Sequence, residues 1–427
     1  MGFLGTSLFT MLGLGGPIAL ALIATTVGFI VYDPLLSTNS IFRSFFSFVN
    51  KYTLMAIPFF IYAGFLMERT GLIAKLFRFA DSLVGWVPGG FAYATILSAV
   101  MFGAISGSST AMAAAMGLIA YPEMIKRGYP MWMAAGVIAT GGGIAILIPP
   151  SITLILYGVL TEESIVKLFL AGVIPGIMLA LSDAVIVLTM ATIIKLPANN
   201  FKWVELRDAG KEALPALLMP VFVLGGLYGG VLTPTESGAG ACAYALIYGF
   251  LSMREKFFKE MLAATERAVN LTAILFFLLG GVGIFQFLLA NQGWPQDIAA
   301  WVTNIGLPPL GFLAALLAVL LFLSMFLTGV AILVLVVPVI YPVSLALGID
   351  PIHLGVLFAL CIEMGAVIPP VGLNLFAVSG TTGVPVTTVM RGSFPFLCSD
   401  GCVLILCMLF PLLTLWLPNL VVKPIFG

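Results

Sequence analysis

The sequence predicts an all-α polytopic membrane protein built from two inverted repeats, each with a re-entrant helical hairpin and a discontinuous helix. Three observations carry that prediction. The composition suits a chain solvated by lipid: 61% of the 427 residues are hydrophobic, 8% are charged, and mean hydropathy is +1.17. Soluble domains carry about a quarter charged residues. Two long apolar regions, 89–121 and 310–341, hold small or polar residues near their middles and read poorly as single crossings. Two proline pairs, Pro149–Pro150 and Pro369–Pro370, interrupt apolar runs 220 residues apart.

The elements follow in order. Apolar spans fall near 10–31, 52–67, 131–159, 166–191, 213–231, 238–252, 268–290, 351–380 and 395–420. The stretch 38–50, SIFRSFFSFVNKY in context, is amphipathic and suits the lipid interface. Regions 89–121 and 310–341 are too long for one helix across a hydrocarbon core of about 30 Å. Each fits better as two short helices that enter and leave on one face, which is tolerated where protein or water surrounds the tip. Loop charge tests this. With both regions as hairpins, 14 of the 18 Lys and Arg residues fall on one face, and only Arg43, Lys51, Lys167 and Lys423 on the other. The positive-inside rule makes the first face cytoplasmic. A single crossing at 89–121 would split the basic clusters that flank it.

The repeat is visible at a constant offset of 220: AILIPPS at 145–151 pairs with AVIPPVG at 366–372, Tyr121-Pro122 with Tyr341-Pro342, and Gly128 with Gly348. Loop charge sets the two units upside down to one another. Inverted repeats with broken helices are the mark of secondary transporters. A proline pair in mid-span removes helix hydrogen bonds. Freed carbonyls suit a cation such as Na⁺, and the start of the next half-helix suits a carboxylate. A kink used only for packing is the simpler alternative.

The first tip, AISGSSTA, offers Ser106, Ser108, Ser109 and Thr110 around Gly107. Such hydroxyls either contact a ligand or act as small packing residues. The second tip, SMFLTGVA, has Thr328 beside Gly329. The turn LTPTESG carries Thr233, Thr235 and Glu236; its plain reading is a helix N-cap at Thr235 or Ser237. Glu363, seven residues before Pro370, is placed to face the central cavity, as a coupling or structural acid. Asp183 and Asp400 also sit alone in apolar spans and need partners. The five cysteines lie in apolar runs, where small buried hydrophobes are the default. The lone His353, expected at a loop, makes neither a zinc cluster nor a catalytic pair, so no enzyme is expected. Nothing suggests nucleic acid, and no GxxxxGK[ST] loop is present for an ATP-driven pump.

Several stretches resemble the large membrane subunit of TRAP transporters, the tripartite ATP-independent periplasmic family: IPFFIYAGFLMERTG at 57–71, GAISGSSTAMAAAMG at 103–117, ILIPPSITLILYG at 146–158, GGLYGGVLTPTESGA at 225–239 and GAVIPPVGLNLF at 365–376. The resemblance spans essentially the whole chain. It implies an elevator-type carrier of the ion-transporter kind in a bacterial or archaeal inner membrane. It implies sodium-coupled import of an organic acid: a C4-dicarboxylate, sialic acid, sugar acid or keto acid. The implied partners are a small, DctQ-like membrane subunit and a periplasmic, DctP-like binding protein. The implied layout has N-terminal scaffold at 1–88, transport-domain repeats at 89–159 and 310–380, connecting helices with the TPTE motif at 160–309, and a C-terminal membrane helix at 381–427. Substrate candidates are Ser106, Ser108, Ser109, Thr110, Ser151, Gly372 and Asn374. Sodium candidates are Ser106, Gly107, Ser109, Gly143, Ile148, Pro149, Thr233, Thr235, Thr328, Gly365, Ile368 and Pro369. Where relatives often have a threonine this chain has Ile368, and it lacks the asparagine common near Glu363 and the aspartate common near Thr328. A proton-coupled carrier of the same architecture is the first rival reading, and a channel the second.

Overall fold

The computed structural model describes residues 2–33, 36–196, 198 and 200–422; the side chains of 2–5, 9, 12 and 106 fall outside that description. The loop lysine expected near the end of the chain, Lys423, therefore lies outside the described residues. All regular elements among the described residues are helices.

The chain begins with α1 (Gly2–Gly13), α2 (Ile18–Tyr32), the amphipathic α3 (Asn39–Val49), α4 (Ala56–Arg69) and α5 (Leu72–Val84). The first hairpin is α6 (Gly90–Ser106) and α7 (Ser109–Lys126). The first broken helix is α8 (Met131–Ile144) and α9 (Ile152–Thr161). Then come α10 (Ile165–Ile194), α11 (Trp203–Tyr228), α12 (Pro234–Met253), α13 (Phe257–Gln292) and α14 (Trp294–Asn304). The second hairpin is α15 (Pro309–Ser324) and α16 (Gly329–Ala346), and the second broken helix is α17 (Pro351–Gly365) and α18 (Leu373–Thr382). The chain closes with α19 (Val386–Leu409) and α20 (Leu412–Val421).

α10 has 30 residues and is about 45 Å long, ample for a crossing. α6, with 17 residues, reaches only about 25 Å, and α8, with 14, about 21 Å. Arm α6 is short for a crossing of its own, and α8 reaches across a bilayer core only together with α9. Leu181, Val185 and Leu188 are exposed on α10 while Asp183 and Val187 on its other side are buried. A continuous apolar outer face of that kind is solvated by lipid.

Ion pairs join residues that loop charge assigns to the same face. On the basic face Arg69 meets Glu260 at 2.7 Å, Arg78 meets Glu212 at 2.9 Å and Arg127 meets Asp81 at 3.6 Å. On the opposite face Lys51 meets Glu162 at 2.6 Å, and the Tyr341 hydroxyl donates to Glu163 at 2.8 Å. Asp81 precedes the first hairpin and Arg127 follows it, so both its ends lie together, as the hairpin reading requires.

The offset of 220 recurs in the backbone. Tyr129 N–H bonds to the Met124 carbonyl at 3.0 Å, and Ile349 N–H to the Ser344 carbonyl at 3.0 Å. Gly128 and Gly348 both take positive φ, +82° and +72°, in the turns between hairpin and broken helix. Ser108 and Thr328 are equivalent N-caps, each accepting from an N–H three residues on at 3.4 Å. The proline pairs are both cis. The units touch where the Tyr157 hydroxyl of α9 donates to the Pro351 carbonyl at 2.8 Å.

Some expectations change. The apolar stretch 395–420 is two helices, α19 and α20, because Pro411 interrupts the run. Helix α2 starts at Ile18, after the Gly15–Gly16–Pro17 break, not near residue 10. His353 lies in the first turn of α17, buried, with Nδ1 2.8 Å from the Thr414 hydroxyl, rather than in a loop. Cys398 and Cys402 are exposed while Cys242, Cys361 and Cys407 are buried. Thr233, not Thr235 or Ser237, caps α12, because Pro234 fits the first helical position and Glu236 closes a reciprocal box. Helices α5 and α14 had no apolar run to announce them. Each is a short connector leading into a hairpin.

Candidate functional site

Each hairpin tip rests on the broken helix of its own unit. Gly107, between α6 and α7, has φ +58°, and a Cβ there would stand 2.7 Å from the Pro150 carbonyl oxygen. Glycine is required for both reasons. In the second unit Val371 N–H bonds to the Met325 carbonyl at 3.3 Å, and a Cβ on Gly365 would collide with Ser324.

The first tip also reaches the second break. Ser109 donates to Asn374 Oδ1 at 2.9 Å, and Asn374 Nδ2 approaches Ser109 Oγ at 2.6 Å and donates to the Ala139 carbonyl at 2.9 Å. All of this is buried. One asparagine thereby ties α7, α8 and α18 together, and removing a partner would strand buried polar atoms at about 1–3 kcal/mol.

Between these elements and helices α2, α4 and α13 lies a cavity of about 530 Å³. It is lined by Gly107, Ser108, Ser109, Thr110 and Thr153 of the first unit and by Ser324, Thr328, Gly329, Gly365 and Gly372 of the second. The size suits a small organic ligand.

The sequence candidates divide by position. Gly107, Ser108, Ser109, Thr110, Thr328, Gly365 and Gly372 come together at the cavity. Ser106 ends α6 at the first tip, but its side chain lies outside the described residues. Asn374 stands one layer behind the cavity, and Ser151 is buried as the cap of α9, accepting from Leu154 N–H at 3.3 Å. Gly143, Ile148, Pro149, Ile368 and Pro369 form the two breaks. There the Gly143 carbonyl already accepts from Ile146 N–H at 2.9 Å, while the Pro150 carbonyl faces the first tip. Thr233, Thr235 and Glu236 are elsewhere. Glu236 Oε2 accepts from Thr233 N–H at 2.7 Å and from its hydroxyl at 2.8 Å, and Thr235 donates to the Tyr52 carbonyl at 3.4 Å, beside α4.

Glu363 does not face the cavity. Its neighbours Ile362 and Gly365 do, whereas its carboxylate points into the protein, where a Cβ on Gly143 would collide with it. Asp183 of α10 and Asp400 of α19 lie beside one another and near it, with no hydrogen bond between them. All three acids are fully buried, and among the described residues none has a hydrogen-bond partner and no basic side chain acts on them. Their convergence was not legible in the sequence, which showed only that each needed a partner. Thr153 was missed as well; its signal was its place three residues after Pro150, in the first turn of α9.

Residues 6–413 match the model of a single family, the DctM component of tripartite ATP-independent periplasmic transporters. The chain belongs to that family. Among DctM-type relatives, the C4-dicarboxylate TRAP transporter large permease of Pseudomonas aeruginosa is 39% identical over 90% of each chain. The sialic acid TRAP transporter large permease of Vibrio cholerae is 34% identical over 97% of this chain and 98% of its own. The ectoine/5-hydroxyectoine large permease of Ruegeria pomeroyi is 30% identical over 97% of each. The fold is shared more widely. The YdaH transporter of Alcanivorax borkumensis superposes with a TM-score of 0.58 at 14% identity, over 93% of this chain and 96% of that one. MtrF of Neisseria gonorrhoeae superposes at 0.59 and 12% identity, over 89% and 83%. This DctM-family chain is thus a multi-pass membrane permease subunit of the solute-transport class.

Proposed function

We propose that the protein imports an organic acid across the bacterial or archaeal inner membrane, driven by Na⁺, with an elevator movement of the two repeat units against a fixed scaffold. One observation carries the reading: both hairpin tips and both helix breaks meet at a single cavity between the repeat units and helices α2, α4 and α13. Backbone carbonyls at the breaks suit sodium, and the start of α7 with its hydroxyls suits a carboxylate. Ion binding at the first tip, where Gly107 meets Pro150, would favour one state of the tip over another, which coupling requires. A small membrane subunit and a periplasmic binding protein complete the system on this reading. The substrates named for its relatives, C4-dicarboxylates, sialic acid and ectoine, mark the solute classes to test first. The test is uptake into proteoliposomes holding the large and small subunits, with the binding protein outside. An imposed inward sodium gradient accelerates uptake of one of these solutes; equal uptake without sodium removes the proposal.

A second reading, proton coupling, is favoured by the convergence of Asp183, Glu363 and Asp400. Three ionised carboxylates without a cation in a dry interior would be very costly, so protons are natural occupants. With sodium equal on both sides, an imposed pH gradient that drives uptake in the wild type but not in Asp183→Asn/Asp400→Asn supports this reading. No response to the pH gradient excludes it.

A further inference from the structure

The polar and apolar parts of the cavity wall are segregated. Among the described residues, no Asp, Glu, Lys, Arg or His lines it. The first unit supplies the hydroxyls. Ser108 accepts from Ala111 N–H at 3.4 Å, which leaves its own O–H to donate. Thr110 and Thr153 line the cavity with hydroxyls that have no hydrogen-bond partner among the described residues. These groups surround the start of α7, so donors and the positive end of a helix dipole coincide there.

The second unit offers little of this kind. The Ser324 hydroxyl is spent on the Leu321 carbonyl at 2.7 Å, leaving Thr328. The start of α16 is packed against Ile362, which a Cβ on Gly329 would strike. The wall there is Phe326, Leu327, Val330 and Ile362, and it continues into Phe65 and Leu278 of the scaffold. A ligand spanning the cavity therefore meets hydrogen-bond donors at one end and hydrocarbon along the rest.

A second carboxylate placed against Leu327 and Val330 would lose its water and gain no partner. A polyhydroxylated acid would leave several hydroxyls unpaired there, each at the full desolvation cost. An apolar body loses nothing and gains dispersion contact. We propose that the cavity accepts a monocarboxylate with a branched aliphatic or aromatic body, its carboxylate at the first tip. This rests on the carrier reading above and sharpens its substrate class.

The experiment measures equilibrium binding to the purified complex of large and small subunits in saturating sodium, so that selectivity of the binding protein does not enter. The probes are 4-methyl-2-oxopentanoate, phenylpyruvate, succinate and N-acetylneuraminate. The two apolar monocarboxylates bind roughly tenfold or more tightly than succinate or N-acetylneuraminate. Leu327→Asn weakens the apolar pair by roughly tenfold and narrows the gap to succinate, whereas Thr153→Val weakens all carboxylates alike. Thermal midpoints of both variants are recorded to confirm folding. Succinate or N-acetylneuraminate binding as tightly as the apolar acids overturns the substrate class while leaving the carrier reading intact. Binding of none of the four, in the wild type, also overturns the substrate class, while the carrier reading stands or falls on the sodium-gradient uptake above.

Discussion

At the first tip Gly107 lies against the Pro150 carbonyl and Ser108 caps α7. At the second, Leu327 stands at the position of Gly107 and Thr328 caps α16 in the same way. The break after the first proline pair is closed by Ser151, a buried side-chain cap. The equivalent position after the second is Val371, and α18 starts at Leu373 with Gly372 as its N-cap and no side-chain cap. The hydrogen-bonded frame has been duplicated and its chemistry has not. Caps and turns satisfy backbone groups that each unit must satisfy. On the proposed reading the side chains facing the cavity answer to the ligand, and there the first unit is polar and the second apolar.

The comparison can be broken by paired substitutions. The largest difference is expected between Gly107→Ala and Gly372→Ala. At Gly107 a Cβ meets a backbone oxygen at φ +58°; at Gly372, φ +29°, its nearest neighbour is the movable end of Leu375 at 2.7 Å. On the proposed reading, sodium-driven uptake falls roughly tenfold or more in Gly107→Ala, since about 1 kcal/mol of left-handed strain adds to a backbone collision, and it falls less in Gly372→Ala. Equal losses in reconstituted transport would erase the distinction.

Ser109→Ala and Ser324→Ala form the next pair. The first leaves buried Asn374 short of a partner and lowers stability by about 1–3 kcal/mol in denaturation assays. The second removes only a local bond to Leu321 and stays within about 0.5 kcal/mol. The caps come third: Ser108→Ala and Thr328→Ala each cost about 1 kcal/mol, alike in stability. Only Ser108→Ala raises the substrate concentration for half-maximal uptake, because Ser108 alone stands among the hydroxyls of the first tip. The smallest effect belongs to Glu162→Gln, which breaks the exposed pair with Lys51 and shifts stability by less than about 1 kcal/mol. It lies outside the cavity and leaves uptake unchanged in the same transport assay.

Much of the frame was legible because it rests on groups that cannot be hidden in a sequence. Proline pairs, glycines at a fixed offset and loop charge announced both breaks, both hairpins and their opposite orientation. The hairpin arms and tips fell where the small residues of AISGSSTA and SMFLTGVA put them. Connectors α5 and α14 were not legible, because short amphipathic helices lack an apolar run. The site was legible in part. Ser108, Ser109 and Thr328 announced themselves as hydroxyls at tips. The pairing of Ser109 with Asn374 joins residues 265 apart in the chain, and no local pattern encodes that. Glu363 was misplaced because its distance from Pro370 says nothing about which side of α17 it occupies. Asp183 and Asp400 found each other only through the packing of α10 on α19.

On the proposed reading the first unit holds the coupling ion. Binding of radiolabelled sodium to the purified large–small subunit complex tests it most directly, in the wild type, Gly107→Ala and Thr328→Ala. The account predicts saturable binding that Gly107→Ala weakens roughly tenfold and Thr328→Ala leaves at wild-type affinity. Wild-type affinity in Gly107→Ala with loss in Thr328→Ala, or no saturable sodium binding in the wild type, would contradict it.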